Sequence, residues 1–450
     1  MPLARRQAAE WTAQAAPLTR AETALIVAAT FLYWNDSLRQ IFPGVDNASV
    51  EFRLIHFAFY GLFCTGLITI GTPVLTRLRQ VPLLLAVLAL PLMSALWSIA
   101  PAETMQRSVA VIGSSLFGIY LACRVPPLEA FRLIGTAATL SAMLSIALIF
   151  FVPSVGLMSE GEYVNAWGGA HLHKNGLGQM TALGAIICLI VVMAEGMRRH
   201  WFLATGIILN VFLLAGSRSL TSQLVFVIGV VLLLTMRRFI RLLVDSAIIT
   251  ATLLVGALVF ALVTISADSL AELLASFGKD ATMSSRLPLW QMLSGFMEGH
   301  WWFGHGYEAF WTDESYAVRI IQRKLGFRPW YSHNGFLEVW LAFGLVGLAL
   351  VTALIVALAS RIIRGLYRDT ADPVLLFGFV YVLMFLLQNA AEATILQRNT
   401  MSWALFGMLY VMAASPRRPD EPTRLPVRSQ RARFHVAEEA RQPERRVSVA

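Results

Sequence analysis

Residues 81–97 read VPLLLAVLALPLMSALW, a run that contains no charged side chain. Residues 220–236 form a second run of the same kind. A helix of about 20 residues crosses the roughly 30 Å hydrocarbon core of a bilayer, so runs of this length predict membrane-spanning helices. The chain of 450 residues is 57% hydrophobic and only 14% charged, whereas soluble domains contain about 25% charged residues. The sequence therefore predicts an all-α integral membrane protein and argues against an ordinary soluble enzyme.

Apolar segments recur along the chain and predict about 12 transmembrane helices in one polytopic domain, residues 22–414. A short segment, 1–21, precedes this domain, and a tail, 415–450, follows it. The tail is rich in proline, arginine and glutamate and has few large apolar residues, which predicts disorder. The predicted segments lie near 22–41, 52–73, 81–99, 107–123, 132–152, 176–196, 201–216, 219–236, 242–265, 334–359, 373–391 and 400–414.

Basic residues mark one side of this predicted bundle. Arginine clusters fall in alternate connections, and the two chain ends carry arginines on the same side. Because connections rich in positive charge stay in the cytoplasm, segment 1–21 and tail 415–450 are both predicted to be cytoplasmic. The net charge of +9 then reflects topology and contact with lipid head groups, and no nucleic-acid partner is predicted. The connections on this side contain Arg77 and Arg79, Arg124 and Arg132, Arg198 and Arg199, Arg237, Arg238 and Arg241, and Arg361, Arg364 and Arg368.

A long polar interruption, residues 266–332, is predicted to form a large loop on the outer side of the membrane. The lysines of the chain, Lys174, Lys279 and Lys324, also fall on the outer side, against the usual bias of positive charge. Attraction of an anionic substrate explains their position. We therefore expect the outer loop to act on a substrate that is carried by a membrane lipid.

Arg218 lies in a short turn, Gly216-Ser217-Arg218-Ser219, between two apolar runs and far from any acidic residue in sequence. An arginine at membrane depth is costly unless it is paired or lines a wet cavity. Its planar guanidinium is suited to bidentate recognition of phosphate. The alternative is a side chain that extends to the outer lipid head groups.

Arg286 is predicted to stand at the amino end of a helix that Ser284 or Ser285 caps and that Gly299 ends. The free N–H groups and the dipole of a helix terminus favour an anion there. Trp290 lies on the apolar side of this helix, which predicts an amphipathic helix along the outer membrane surface. The alternative is a solvent-exposed arginine on a loop helix.

His333 opens the apolar segment 334–359, directly after the long loop. Histidine accepts or positions a proton near neutral pH, which makes His333 a candidate base. Asn334 and Glu338 are four residues apart and share a face of the following helix. The alternative is a histidine that only caps this helix or packs at an interface.

His173, Lys174 and Asn175 follow a Gly-Gly pair and are predicted to form a polar turn that faces the substrate. His171 and His173 could both ligate a metal, but no acidic or cysteine partner completes a ligand set in the sequence, so no metal site is predicted. Tyr307 belongs to an aromatic cluster at 301–311, which is typical either of the membrane interface or of stacking against sugars.

Four stretches stand in a fixed order before, within and after the long loop. They are 169–178 (GAHLHKNGLG), 216–219 (GSRS), 285–311 (from SRLPLW to GHGYEAFW) and 332–348 (from SHNGFL to GLVGL). In this order and placement they resemble the O-antigen ligase/polymerase superfamily. The ending YEAFW at 307–311, together with LWSIAP at 96–101, is more similar to the exopolysaccharide-polymerase branch than to the lipopolysaccharide ligases.

This resemblance implies a C-type glycosyltransferase-like fold in the bacterial inner membrane and metal-independent, inverting glycan transfer at the periplasmic face, without a cofactor. It implies that Arg218 and Arg286 hold the pyrophosphate leaving group and that His333 activates or orients the acceptor hydroxyl. The implied partners are an undecaprenyl-pyrophosphate-linked glycan donor, a glycan or lipid-linked acceptor, and other polysaccharide assembly proteins. His171 and His305 depart from the family pattern, the second because an aromatic residue is expected at its position.

Several functions remain open at this point. The leading hypothesis is a polymerase of lipid-linked repeat units in exopolysaccharide or O-antigen biosynthesis. A ligase that passes finished glycan to the lipid A core or another acceptor is the alternative within the same superfamily. A transporter or flippase of lipid-linked oligosaccharide and a non-catalytic assembly protein are alternatives of other classes.

The predicted topology is testable with reporter fusions. We expect alkaline phosphatase fused within 280–320 to be active, because the long loop is predicted to be periplasmic, and a fusion at the carboxyl terminus to be inactive. Fluorescent-protein fusions at the same positions provide the reciprocal control. Cytoplasmic reporting from 280–320 would contradict the predicted orientation.

Overall fold

The computed structural model describes residues 17–35, 50–158, 163–171, 173–235, 286–312 and 315–414. Helices form the regular structure in these ranges, apart from one isolated antiparallel bridge between Leu157 and Trp167. The predicted all-α class is confirmed for this part of the chain. Several predicted features lie outside the described residues: most of segment 1–21, the apolar segment 242–265, residues 266–285 of the long loop, and the tail 415–450.

The helices are numbered here in chain order. They are α1 (Arg20–Trp34), α2 (Val50–Ile70), α3 (Thr72–Leu78), α4 (Pro82–Ser94), α5 (Pro101–Arg124), α6 (Pro127–Phe151), α7 (Pro153–Gly156), α8 (Lys174–Glu195), α9 (Trp201–Gly216), α10 (Leu220–Thr235), α11 (Arg286–Phe296), α12 (Tyr316–Leu325), α13 (Gly335–Arg368), α14 (Pro373–Asn389) and α15 (Met401–Ala414), with a short 3-10 turn at Gly169–His171.

Among the described residues, four helices are long and apolar enough to cross a membrane: α2 from Phe52 onward, α6, α8 and α13. Helices α3 and α4 are bent by 87° at a short break and together could form a fifth span. Helices α9, α10, α14 and α15 are apolar but shorter. The chain is thus a multi-pass membrane protein, whereas the count of about 12 spans and the periplasmic position of 266–332 stay predictions.

Helix α8 is the centre of the bundle and packs against α6, α9 and α14. Its apolar side chains, such as Leu183 and Ile186, are buried in the main core. His173 precedes the first turn, and its ring nitrogen Nδ1 accepts a hydrogen bond from the Asn175 N–H at 3.2 Å. The amino end of this largely buried helix therefore carries the predicted site residues His173, Lys174 and Asn175, which are half-buried.

Helix α13 is interrupted at Gly344, whose backbone is left-handed at φ 63°. The segment that follows α11 fits against this break and exchanges backbone hydrogen bonds with both sides of it. His305 N–H donates to the Leu341 carbonyl at 2.8 Å, and Leu345 N–H donates to the Trp301 carbonyl at 2.8 Å. A Cβ on Gly344 would lie 2.2 Å from the Trp302 carbonyl carbon. The glycine is therefore required both for the backbone conformation and for the close approach of the loop.

Helix α11 spans Arg286–Phe296, so a helix lies where the sequence predicts one, but it ends before the predicted stop at Gly299. The predicted caps, Ser284 and Ser285, lie outside the described residues. The apolar side of α11 is buried within the loop region itself, where Leu289, Leu293 and Met297 pack against residues of α12 and α13. The prediction of a helix that lies with this side on the membrane surface was therefore wrong. The reason is that α11 packs against apolar side chains of α12 and of the start of α13. The outer segment therefore has a small hydrophobic core of its own.

Replacement of Gly344 by alanine tests this interlock. We expect Gly344→Ala to lower the stability of the protein by about 1–3 kcal/mol, because it adds a side chain at positive φ and against backbone atoms. Gly61→Ala, where an added Cβ meets no atom within 4 Å, is the matched control and should be neutral or slightly stabilising. Thermal unfolding in detergent measures both. Equal melting temperatures for the two variants would contradict the inferred constraint.

Candidate functional site

A cavity of about 1340 Å³ lies between α1, α2, α5, the start of α8 and the connections at 307–312, 327–334 and 392–400. Most small-molecule sites have volumes of roughly 300–1,000 Å³, so this cavity can hold a ligand larger than a single small molecule. His173, Asn175, Tyr307 and His333 are among its lining residues. Four of the residues that the sequence singled out thus meet at one cavity.

The carboxylate of Glu392 joins several chain segments at one end of this cavity. Its Oε1 accepts a hydrogen bond from Asn175 Nδ2 at 2.9 Å, and its Oε2 accepts one from the Tyr331 hydroxyl at 2.9 Å. Arg286 Nη2 lies 3.5 Å from Oε1, and His333 Nδ1 lies 3.5 Å from Oε2. One acidic side chain therefore brings together Arg286 of the outer segment, His333 at the entry to α13 and Asn175 of α8.

The electrostatics of this group follow from burial and charge. Burial alone would raise the pKa of the Glu392 carboxyl, but His333, Arg286 and the Tyr331 hydroxyl outweigh it and hold the pKa below its usual range. Burial, followed by the neighbouring carboxylate, raises the pKa of Tyr331 well above its ordinary value. Burial also lowers the pKa of His173, although Glu392 opposes that shift. At neutral pH the site therefore combines an ionised Glu392, a neutral Tyr331 and a neutral His173.

The position of His333 is fixed by the residues on either side of it. Trp290 Nε1 donates a hydrogen bond to the Ser332 carbonyl at 2.8 Å, and the Glu338 carboxylate accepts one from the Ser332 N–H. Asn334 caps α13, since its Oδ1 accepts from the Phe336 N–H at 3.0 Å. These contacts fasten the backbone on both sides of the imidazole, so the ring is held at the cavity rather than on a mobile loop.

Left-handed backbone conformations concentrate at this cavity. Six described residues other than glycine have positive φ, and four of them line the cavity. Such conformations cost roughly 1–3 kcal/mol each and are typical of sites where function requires a particular geometry. The four residues are Glu308 (φ 51°), His333 (φ 56°), Leu396 (φ 54°) and Asn399 (φ 58°).

Arg218 also has a left-handed backbone, at φ 52°. The Arg218 side chain is exposed, and this side chain has no hydrogen bond or ion pair with the part of the chain that the structure describes. Its neighbour Ser219 connects it to the cavity, because the Ser219 hydroxyl lies 3.3 Å from Asn175 Oδ1 and donates to it. The two predicted arginines are thus linked through Ser219, Asn175 and Glu392 and do not contact each other directly.

A second charged group lines the same cavity. Arg398 Nε donates to Glu308 Oε2 at 2.9 Å, and Arg107 Nε lies 3.8 Å from the same oxygen. Arg107 also donates to the Glu308 carbonyl at 2.5 Å. About a third of the Glu308 and Arg398 side chains remains exposed, so these groups are accessible from the cavity.

Comparison of the sequence with known proteins finds two similarities. The family model described as O-antigen ligase matches residues 203–352. The exopolysaccharide production protein ExoQ of Rhizobium meliloti (strain 1021) is 28% identical over 341 residues, which are 71% of this chain and 74% of that protein. Over these regions the chain is similar to the O-antigen ligase/polymerase superfamily. The family match contains Arg218, Arg286 and His333 and ends before Glu392.

Several predicted substrate-binding residues have structural contacts of their own. The Tyr307 hydroxyl donates to the Leu396 carbonyl at 2.6 Å, and its ring is almost completely buried. Trp290 and Asn334 hold the backbone around His333, as described above. The Lys174 ammonium lies 3.3 Å from the centre of the Tyr163 ring. These contacts position the site, and direct substrate binding by these residues stays a prediction.

His305, the departure from the superfamily pattern, has a packing role. Its ring is buried, lies 5.2 Å from the Phe310 ring, and its Nε2 donates to the Phe296 carbonyl at 3.1 Å. Burial lowers the pKa of His305 to about 4, so the ring is neutral at physiological pH. A neutral imidazole thus fills the place where an aromatic side chain was expected.

Sequence reasoning missed Glu392 and Glu308. Glu392 stands four residues after Gln388 of α14, in a connection that is predicted to lie on the outer side of the membrane. A lone acidic residue just beyond an apolar helix, on the side that carries the candidate arginines, was the available signal. Its four contacts come from residues distant in sequence, so its role became visible only in the folded chain.

Substitution of Glu392 tests whether its charge holds the site together. The pKa of this carboxyl is lowered, so its stabilising effect is present above the ordinary value of 4.5 and is lost as the pH falls through the folded-state value. We expect Glu392→Gln to reduce stability by about 1–3 kcal/mol at neutral pH. The difference in stability between Glu392→Gln and the parent should become smaller as the pH falls below 4.5.

Thermal unfolding in detergent, followed from neutral to acidic pH, measures this difference. Glu103→Gln is the control, because Glu103 is an exposed carboxylate that lines the same cavity. A loss of stability in Glu392→Gln that is the same at every pH would contradict the proposed ionised state.

Proposed function

We propose that this protein is a membrane glycosyltransferase that polymerises undecaprenyl-pyrophosphate-linked repeat units at the periplasmic face of the bacterial inner membrane. The observation that carries the proposal is the convergence of Arg286 and His333 on Glu392, which lines one large cavity together with His333. The similarity to the O-antigen ligase family over residues 203–352 and to an exopolysaccharide production protein supports the same chemistry. Both chain termini are cytoplasmic in this proposal.

The two arginines bind the diphosphate of the donor. Arg286 stands at the amino end of α11, where the helix dipole adds to its charge. Arg218 has an exposed guanidinium without a partner among the described residues, and Ser219 ties its turn to Asn175. Two fixed positive charges offset the negative charge that grows on the leaving diphosphate as the glycosidic bond breaks, without a metal ion.

His333 acts on the acceptor. Its imidazole accepts the proton of the attacking hydroxyl, while that oxygen forms a bond to the anomeric carbon and the diphosphate departs with the electrons of the broken C–O bond. Attack from the side opposite the diphosphate inverts the anomeric configuration. Removal of the proton in the transition state is worth roughly 10²–10⁴-fold in rate.

Before the substrate binds, Glu392 contacts both Arg286 and His333. Its carboxylate lies next to Arg286, in the kind of position that the donor diphosphate takes in this proposal. The same carboxylate also faces His333 Nδ1. During transfer, the Glu392 carboxylate offsets the positive charge that develops on the His333 ring as it takes the proton. The incoming diphosphate competes with Glu392 for Arg286, which leaves the carboxylate free to serve His333.

A polymerase is favoured within the superfamily because the exopolysaccharide relative covers most of the chain. A ligase that passes glycan to the lipid A core or another acceptor is the alternative. A deletion strain separates the two: single lipid-linked repeat units accumulate if a polymerase is lost, and long lipid-linked polymer accumulates if a ligase is lost. Loss of transport would instead leave repeat units on the cytoplasmic side.

Purified protein in detergent with lipid-linked repeat units and a chelator tests the chemistry. We expect Arg218→Ala and Arg286→Lys to reduce the transfer rate by about 10²–10³-fold and His333→Gln by about 10²–10⁴-fold. Polymer length on a gel and release of undecaprenyl pyrophosphate are the measurements.

Arg319→Ala, on the exposed side of α12 in the same outer segment, is the matched control and should keep the parent rate. Transfer by His333→Gln at the parent rate would contradict its role as base. Transfer that disappears in the chelator would contradict the metal-independent mechanism.

A further inference from the structure

We propose that the cavity itself is the acceptor site and takes an oligosaccharide without net charge, with the Glu308 ion-pair group as its polar anchor and Trp330 at its rim. This inference rests on the proposed function and assigns its second substrate. The donor diphosphate and the acceptor glycan would then occupy different places, with His333 and Glu392 at the boundary between them.

The first argument is the position of the arginines. Neither Arg218 nor Arg286 belongs to the described lining of the cavity, whereas His333 and Glu392 do. Arg286 approaches the cavity only through its 3.5 Å contact with Glu392. The anion-binding groups therefore stand beside the cavity, and its volume remains available for another ligand.

The second argument is charge. The described lining contains four arginines and four glutamates and no lysine or aspartate, so its formal charges cancel when the histidines are neutral. A cleft of one sign attracts a ligand of the opposite sign, but a balanced lining gives no such attraction. It offers paired donors and acceptors, which suit the hydroxyl groups of a sugar.

The third argument is the arrangement of polar and aromatic groups. Glu308 is held between Arg107 and Arg398, so its carboxylate is fixed in place while the group stays partly exposed to the cavity. Trp330 is 65% exposed and lines the cavity, with the Arg328 guanidinium 4.5 Å from its ring centre. An aromatic face and a few fixed polar groups are the usual means of orienting a ligand in a large pocket.

The fourth argument is a polar group without a partner in the cavity lining. The Tyr33 hydroxyl is buried and has no hydrogen-bond partner in the described ranges, and the Tyr33 ring is among the lining residues. A buried hydroxyl without a partner is unfavourable, and a hydroxyl of the ligand would satisfy it. Tyr33 and His333 line the same cavity, so one chain of several sugars could contact both, with its last hydroxyl at the base.

Binding of a free glycan to the purified protein tests the proposal. The probe is the repeat-unit oligosaccharide released from the lipid carrier of the native host, measured by calorimetry in detergent. We expect Trp330→Ala and Glu308→Gln to weaken binding by about tenfold or more, because they remove the aromatic face and the anchor. Trp302→Ala is the matched control, because Trp302 is 64% exposed, as Trp330 is, but does not line the cavity.

Two further measurements separate the acceptor site from the donor site. Arg286→Lys should bind the free oligosaccharide as the parent does, and inorganic pyrophosphate should not displace it. Binding of an uncharged ligand should also change little between low and high salt. Displacement by pyrophosphate, or a steep loss of binding in salt, would overturn the assignment.

The remaining outcomes are equally decisive. No binding by the parent, or equal binding by the parent, Trp330→Ala and Glu308→Gln, would overturn the acceptor site. Normal binding by the parent without any transfer from lipid-linked repeat units would contradict the proposed function, while the glycan site itself would stand.

Discussion

The buried carboxylate of Glu392 is the constraint on which the site depends. An ionised group out of contact with water is costly unless hydrogen bonds and opposite charges compensate it. The compensation comes from Asn175, which lies 217 residues from Glu392 in the sequence, and from Tyr331, Arg286 and His333. Satisfying this one carboxylate therefore requires α8, the outer segment and the entry to α13 to meet.

The break in α13 also holds the outer segment in position. Gly344 frees backbone groups that the segment 301–306 satisfies, so the outer segment is fastened to the membrane helix by backbone hydrogen bonds. Gly304 approaches equally closely, since a Cβ there would lie 2.5 Å from the Leu341 carbonyl oxygen. With α11 covering its own small core, the outer segment becomes a rigid support for Arg286 and for the backbone at His333.

In the proposed arrangement, the enzyme binds the charged diphosphate and the uncharged glycan at two different places. A diphosphate needs concentrated positive charge, whereas a neutral glycan needs many weak, oriented contacts. One surface with both properties would bind either substrate in the wrong place. In the proposed arrangement, Arg218 and Arg286 stand beside a charge-balanced cavity, and His333 with Glu392 forms the boundary at which the new bond is made.

The sequence by itself determined the membrane class, predicted a helix next to Arg286, and singled out Arg218, Arg286 and His333 as candidate site residues, because hydropathy and local motifs are properties of neighbouring residues. Only the tertiary structure decided which groups meet. It joined Glu392 to Asn175 and His333, turned the apolar side of α11 inward, and gave Trp290, Asn334 and Tyr307 positioning contacts. Long-range contacts of this kind depend on how helices pack, and packing depends on the whole set of side chains rather than on any local pattern.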